Sequence, residues 1–203
     1  MKKHKGFTLI ELLVVILIIG ILMAIVIPNY IRFQENARRV STKANMRVIQ
    51  TALEGWAVAH DGLYPPAQDY IWDPADSNGI APYLPGGDPI GEGGNAILGN
   101  FPTNPYTRRR YNSDLNNRDL TYDATLLTQR GQNAIVRSDE NSPYAGLQAT
   151  NRGEIRVLFY QGAAPDSLGT EEYGVCGWGR DITQPMYDPA PGGVMIYFAL
   201  YNN

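Results

Sequence analysis

The chain has one cysteine, Cys176, in 203 residues, so no intrachain disulfide can form. It has only two histidines, His4 and His60, and a metal site built from His and Cys ligands therefore runs short of candidates. GxSxG, the P-loop pattern and HExxH are all missing, so the sequence offers no catalytic set for acyl transfer, nucleotide chemistry or zinc hydrolysis. Lys and Arg number 17 against 20 acidic residues, a net charge of −3, which gives no general electrostatic reason to bind nucleic acid. Together these absences point away from an enzyme and leave no cofactor and no metal to assign. Cys176 reads as a small buried strand residue rather than a nucleophile.

What the chain has is one long apolar run. Phe7 to Pro28 reads FTLIELLVVILIIGILMAIVIP, and from Leu12 to Ile27 no residue is charged. About 20 mostly apolar residues cross a bilayer as a helix, so Phe7–Ile27 is long enough. A short basic leader, Lys2-Lys3-His4-Lys5, precedes it. Glu11 is out of place, since a carboxylate in lipid costs about 3 kcal/mol even on a lenient insertion scale. A plain signal anchor tethering an outward domain is one reading. A cleavable secretory signal is a second, disfavoured because the run exceeds the usual 7–15 apolar residues and carries Glu11.

A third reading takes the motif itself. Lys5-Gly6-Phe7-Thr8-Leu9-Ile10-Glu11 and the apolar run behind it resemble the amino terminus of type IV prepilins and type II secretion pseudopilins, the class III signals. The resemblance implies that a prepilin peptidase cuts between Gly6 and Phe7 and methylates the new amino terminus at Phe7. It also implies an assembly role for Glu11, four residues after Phe7, and it places Pro28 where many family members carry a proline. The leader is then cytoplasmic and the bulk of the chain outside; the charge flanks, basic on both sides, decide nothing. Loss of Lys2, Lys3 and Lys5 leaves 14 basic residues against 20 acids, about −6. Many pilins close a carboxy-terminal loop with a disulfide, and the lone Cys176 leans towards the pseudopilin branch.

Beyond Pro28 the helical pattern resumes. A proline inside a helix removes one hydrogen bond and crowds the carbonyl four residues back, so Pro28 is expected to kink the helix rather than end it. Gly20 is a second weak point. A helix from Phe7 to about His60 would span roughly 80 Å, too long for one small domain to cover. Arg32, Glu35, Arg38, Arg39 and Lys43 make its middle polar; a solvated face is the simple account. Met46, Ile49, Leu53 and Trp56 then recur at spacings of three and four, a stripe expected to pack on the domain core. Asp61-Gly62 and Tyr64-Pro65-Pro66 end the helix.

Residues 62–106 hold eight prolines and eight glycines with little periodicity, a long loop expected to be functional or a packing surface. Phe101-Pro102-Thr103-Asn104-Pro105-Tyr106 resembles the step before the sheet in pseudopilins. Arg108-Arg109-Arg110 reads as a solvated loop tip, with subunit contact as the alternative. Leu120–Gln129 is a short helix or a strand. Glu154–Tyr160 alternates as a strand, Tyr173–Trp178 is a second, and Val194–Tyr201 a third with both faces apolar. Tyr173 to Asp181 resembles, more loosely, a pseudopilin-like ending. Asp166, Glu171 and Glu172 precede a late strand where some major pseudopilins hold calcium, but the alternating oxygen-ligand spacing is missing and a solvated loop is preferred.

The expected fold is α+β and pilin-like: one long amino-terminal helix packed on a small carboxy-terminal antiparallel sheet with long loops. The expected divisions are residues 1–6 as cleaved leader, 7–30 as transmembrane and filament-core half-helix, and 31–203 as the extracytoplasmic domain. The implied function is a structural subunit of a type IV pilus-like or type II secretion filament. Its partners would be other copies or pilin-like subunits, the prepilin peptidase, an inner-membrane assembly platform, and the bacterial inner membrane before export to a periplasmic or surface fibre. The rival is a signal-anchored extracytoplasmic binding domain or enzyme that does not polymerise.

Overall fold

The structure is a computed structural model that describes residues 7–65, 71, 73, 75–111, 119–127, 147–160, 173–189, 195–197 and 199–201. Helix α1 runs without interruption over Leu9–Ala59, with Pro28 inside it. Its carboxyl end is set by backbone chemistry. Asp61 and Gly62 take left-handed conformations (φ 55° and 83°), and the Gly62 N–H returns to the Ala57 carbonyl at 2.9 Å. Glycine carries no Cβ penalty there, and Asp is among the few side chains that tolerate the region.

The chain separates into two units, residues 1–37 and 38–203. In the first, every described residue from Phe7 to Gln34 is exposed. In the second, the expected stripe is the centre of the core: Met46, Ile49 and Leu53 are fully buried and Trp56 nearly so. Against it pack Ile155, Val157 and Phe159 from one strand, Tyr173 and Val175 from the next, and Ile71, Ile80, Leu84 and Phe101 from the long loop. Through these residues parts of 62–106 form a packing surface, with short turns at Ala81–Tyr83 and Glu92–Gly94, while Ile90 and Ile97 stay exposed.

Among the described residues six strands follow: β1 Leu120–Leu127, β2 Ile155–Tyr160, β3 Tyr173–Gly177, β4 Tyr187–Pro189, β5 Met195–Tyr197 and β6 Ala199–Tyr201. The larger sheet has the order β1-β2-β3-β6, and β4 pairs with β5 separately. Two expectations change. The sheet is mixed, not antiparallel, because β1 lies parallel to β2 with Leu120 opposite Ile155. Parallel neighbours need a crossover of a dozen or more residues, and the segment between them supplies it. The single strand expected over Val194–Tyr201 is two. Met195–Tyr197 pairs with Tyr187–Pro189, whereas Ala199–Tyr201 pairs with Gly174–Cys176, so the backbone changes hydrogen-bonding partner midway. The ambiguous Leu120–Gln129 segment is a strand. β3 is buried along its whole length, and Cys176 sits in it as a small buried side chain.

Candidate functional site

At the start of α1, Thr8 and Glu11 form a closed pair. Oε2 of Glu11 accepts from the Thr8 N–H at 2.8 Å and from the Thr8 hydroxyl at 2.7 Å, and the Glu11 N–H reaches Thr8 Oγ1 at 3.4 Å. The Thr8 carbonyl accepts the first helical bond, from the Leu12 N–H at 3.3 Å. This is a capping box, in which a Thr and a Glu three residues on satisfy each other's backbone donors. Its signature, Thr-x-x-Glu before an apolar run, is present in the sequence, where the cost of a carboxylate in an apolar segment masks it. The box gives Glu11 a role within its own chain. It uses one carboxylate oxygen; among the described residues Oε1 has no partner.

The remaining sequence-derived positions fall as follows. Gly6 lies outside the described residues. Phe7 is 81% exposed, immediately before the cap. Gly20 has nothing within 4 Å of the place its Cβ would occupy. With Leu13, Ile16, Leu17, Ile21 and Ala24 it lines a shallow apolar notch on the helix surface. Pro28 interrupts one backbone donor without ending the helix. Asp166, Glu171 and Glu172 lie outside the described residues, and among those described no group of three metal-ligating side chains occurs.

In the second unit the polar side chains do structural work. Asn104 is buried; its Oδ1 accepts from the Tyr106 N–H at 2.8 Å and its Nδ2 donates to the Arg152 carbonyl at 2.9 Å. It therefore fastens the 103–110 hairpin, bridged at Thr103 and Arg110, to the turn before β2. The three arginines separate. Arg109 turns in to the buried Asp119 at 3.4 Å, while Arg108 and Arg110 are exposed. Glu154 is fully buried yet satisfied by Arg156 at 2.9 Å, the Thr150 and Asn151 N–H groups and the Thr121 hydroxyl. Arg156 also covers the Trp178 ring at 5.0 Å. Burial, then the bond to Glu54, pushes the Tyr173 phenol well above the ordinary range, and burial does the same to Tyr111. None of these networks lines a cleft with an unsatisfied acid or base.

Residues 1–27 match the family model described as the prokaryotic N-terminal methylation motif. The chain opens on a prepilin motif. Curated relatives match parts of the chain. The chain is 50% identical over 50 residues to the type IV major pilin protein PilA of Myxococcus xanthus, covering 25% of this chain and 23% of that one. It is 38% identical over 63 residues to the ComG operon protein 3 homolog of Bacillus licheniformis, 31% of this chain and 65% of that one. It is 37% identical over 54 residues to the type II secretion system core protein G of Klebsiella pneumoniae, 27% and 39% respectively. The matched stretch thus spans between 23% and 65% of these relatives' own lengths. No solved structure matches. The prepilin motif, its cap and the exposed apolar half-helix are one continuous segment, and the long helix with its small mixed sheet agrees with an α+β pilin-like fold.

Proposed function

We propose that this chain is a structural subunit of a pilus-like or secretion-type filament. It enters the inner membrane as a precursor, is cut after Gly6 by a prepilin peptidase, is methylated at Phe7, and polymerises through its apolar half-helix on an inner-membrane platform. In this reading residues 1–6 are the leader, 7–30 the membrane and filament-core segment, and 31–203 the extracytoplasmic domain. The observation that carries it is the uncharged helix surface from Leu12 to Ile27, exposed throughout although the second unit completes a core of its own from Met46 onwards. Lipid covers such a surface first, and the same surfaces of neighbouring helices cover it later. Burial on either side stabilises by about 25 cal/mol per Å² of apolar area, which explains why one segment suits both environments. Oε1 of Glu11, without a partner among the described residues, would meet the Phe7 amine of an adjacent subunit, setting axial register more than stability. The work of extraction comes from the platform, and the chain acts by assembly rather than catalysis.

Amino-terminal sequencing of the chain from producing cells, with electron microscopy of the same cells, tests this. A methylated Phe7 terminus and fibres containing the chain are expected. An intact leader on an envelope-bound chain without fibres would return the signal-anchored domain as the better account.

A further inference from the structure

Charge in the second unit is sorted along the helix. Arg38 to Arg47 contains four basic residues and no acid, whereas Val48 to Thr107 contains seven acids and no lysine or arginine. The fold keeps this order in space. Asn45 Nδ2 donates to the Thr103 carbonyl at 2.9 Å, and the Arg38 guanidinium lies 5.6 Å over the Tyr106 ring. The 103–110 hairpin therefore sits on the same helical turns as Arg38–Arg47, and Asn104 draws in the Arg152 backbone. Arg47, Arg108, Arg110 and Arg152 are all exposed, and among the described residues none of the four is ion-paired.

The other end of α1 gathers the acids. Trp56 Nε1 donates to the Asn78 carbonyl at 2.7 Å, and Gly55 lies against the Tyr83 ring. These contacts hold residues 78–83, which Asp76 and Asp88 flank in the chain, about 16 Å of helix rise beyond Asn45. Asp61 and Asp88 are exposed there; Asp76 is half-buried, its carboxylate accepting from the Asn78 N–H at 2.8 Å. The carboxyl end of a helix carries partial negative charge and favours cations. This one has no basic residue in its last turn and carries the exposed Asp61 just beyond it, the sign the helix end disfavours. Packing within one chain does not account for it.

We infer that the two ends bind each other between copies: the basic end of one subunit docks on the acidic end of the next, head to tail. The inference rests on the filament reading above and adds the contact that the globular units make in it. Opposite patches on one molecule form a heterologous contact, and such contacts propagate as open helical arrays when the rotation does not close. Parallel helices displaced along an axis bring unlike ends together, while copies in blunt register would place like charges side by side. The sorting thus selects the axial offset as well as attracting the partner. Because the patches are exposed, salt weakens the contact.

Filament yield from full-length variants in producing cells tests it, with the amount of cleaved, membrane-resident chain measured alongside. Asp61→Asn, Asp76→Asn and Asp88→Asn together remove three charges while Asn retains the side-chain oxygen that closes the local turns and tolerates the left-handed backbone of residue 61. Arg47→Glu, Arg108→Glu and Arg110→Glu reverse the other end. Each triple variant is expected to lower filament yield at least tenfold with cleaved chain at the parental level. Adding Asp61→Lys, Asp76→Lys and Asp88→Lys to the arginine triple inverts both ends and is expected to restore yield to within threefold. Parental yield from the Asn triple or the Glu triple overturns the inference, and so does an inverted variant whose cleaved chain stays at the parental level while its filament yield is no better than that of the Glu triple. Absence of filaments from the parent chain would remove the filament reading itself, whereas filaments from the parent that are indifferent to all three variants would remove only the docking contact.

Discussion

Tyr173 donates its hydroxyl to Oε1 of Glu54 at 2.5 Å, tying strand β3 to the helix across 119 residues of sequence. Tyr64 donates to the other oxygen of the same carboxylate at 2.9 Å, and the two rings lie 4.6 Å apart. Tyr173→Phe is expected to destabilise the detergent-solubilised chain by about 1.5–3 kcal/mol, the range for a hydrogen bond to a charged group. The pH dependence has a definite sign. A phenol whose folded-state pKa is raised contributes stability that is complete below its unfolded value of about 10 and is lost as pH rises above it. Melting midpoints compared at pH 8 and pH 11 should fall less in Tyr173→Phe than in the parent. An equal fall would show that Tyr173 does not govern alkaline unfolding.

Trp56 anchors the helix to the long loop as well as to the sheet, through its ring and its bond to Asn78. Trp56→Ala is expected to cost about 3–5 kcal/mol, as for other large aromatic truncations in cores. Chemical denaturation followed by tryptophan fluorescence of Trp72 and Trp178 reads this, and an unchanged midpoint would place Trp56 outside the cooperative core.

Gly153 takes a left-handed backbone, φ 73°, and a Cβ there would approach Asn104 Oδ1 to 2.4 Å. Gly153→Ala meets both the backbone preference and that contact, and is expected to destabilise by about 1–3 kcal/mol. Asn104→Ala in the same background should make the second loss smaller than in the parent, since it removes one of the two side chains in the way, the other being Tyr106 with Cδ2 at 2.6 Å. Full additivity in the double-mutant cycle would leave the cost to backbone strain and the Tyr106 contact.

The Glu11 cap and the proposed contact of its carboxylate with a neighbouring amine are separable by mutation. Gln at the third helical position still closes a capping box but carries no charge. Glu11→Gln is expected to insert and be cleaved normally yet fail to join filaments, and Glu11→Ala to fail in the same way. Thr8→Ala, which removes the cap but spares the charge, is expected to assemble with only a modest fall in yield. Normal fibres from Glu11→Gln would make the cap, and not a contact with a neighbouring amine, the reason for the carboxylate.

Gly6→Val is expected to accumulate as uncut precursor, because a peptidase that fits a residue without a side chain beside its catalytic centre meets two methyl groups instead. Immunoblots that show only mature-size chain would move the cut elsewhere.

The helix was legible because each of its parts has a local cause: the apolar run, the three-and-four spacing of Met46 to Trp56, and the Asp61-Gly62 stop. β2 and β3 were legible for the same reason, through alternation and length. The parallel placement of β1 was not, since Thr121 and Tyr122 carry no record of which neighbour will pair with them; that choice is made by the crossover and the sheet together. The split of 194–201 was hidden too, because apolar residues on both faces suit one long strand and two short ones equally. At the amino terminus the prepilin motif could be read directly, but the Thr8–Glu11 box was overshadowed by the cost of a carboxylate in lipid. The burial of Glu154 had a faint signal, an acid and a base two apart on one strand face, which only the packing of Trp178 and β1 makes decisive.

The order of the strands has a consequence for biogenesis. The helical stripe is synthesised first, and its covering strands β2 and β3 begin about 100 residues later. At 5–20 residues per second the sheet side of the stripe stays bare for roughly 5–20 s, while the loop residues Ile71, Ile80, Leu84 and Phe101 are made in time to cover only part of it. Among the described strands β6 emerges last, and it pairs with β3. A nonsense mutation before residue 150 therefore yields a product whose Met46–Trp56 face lacks its cover of β2 and β3. Such fragments keep apolar surface that the finished chain hides, and are expected to be degraded faster than it.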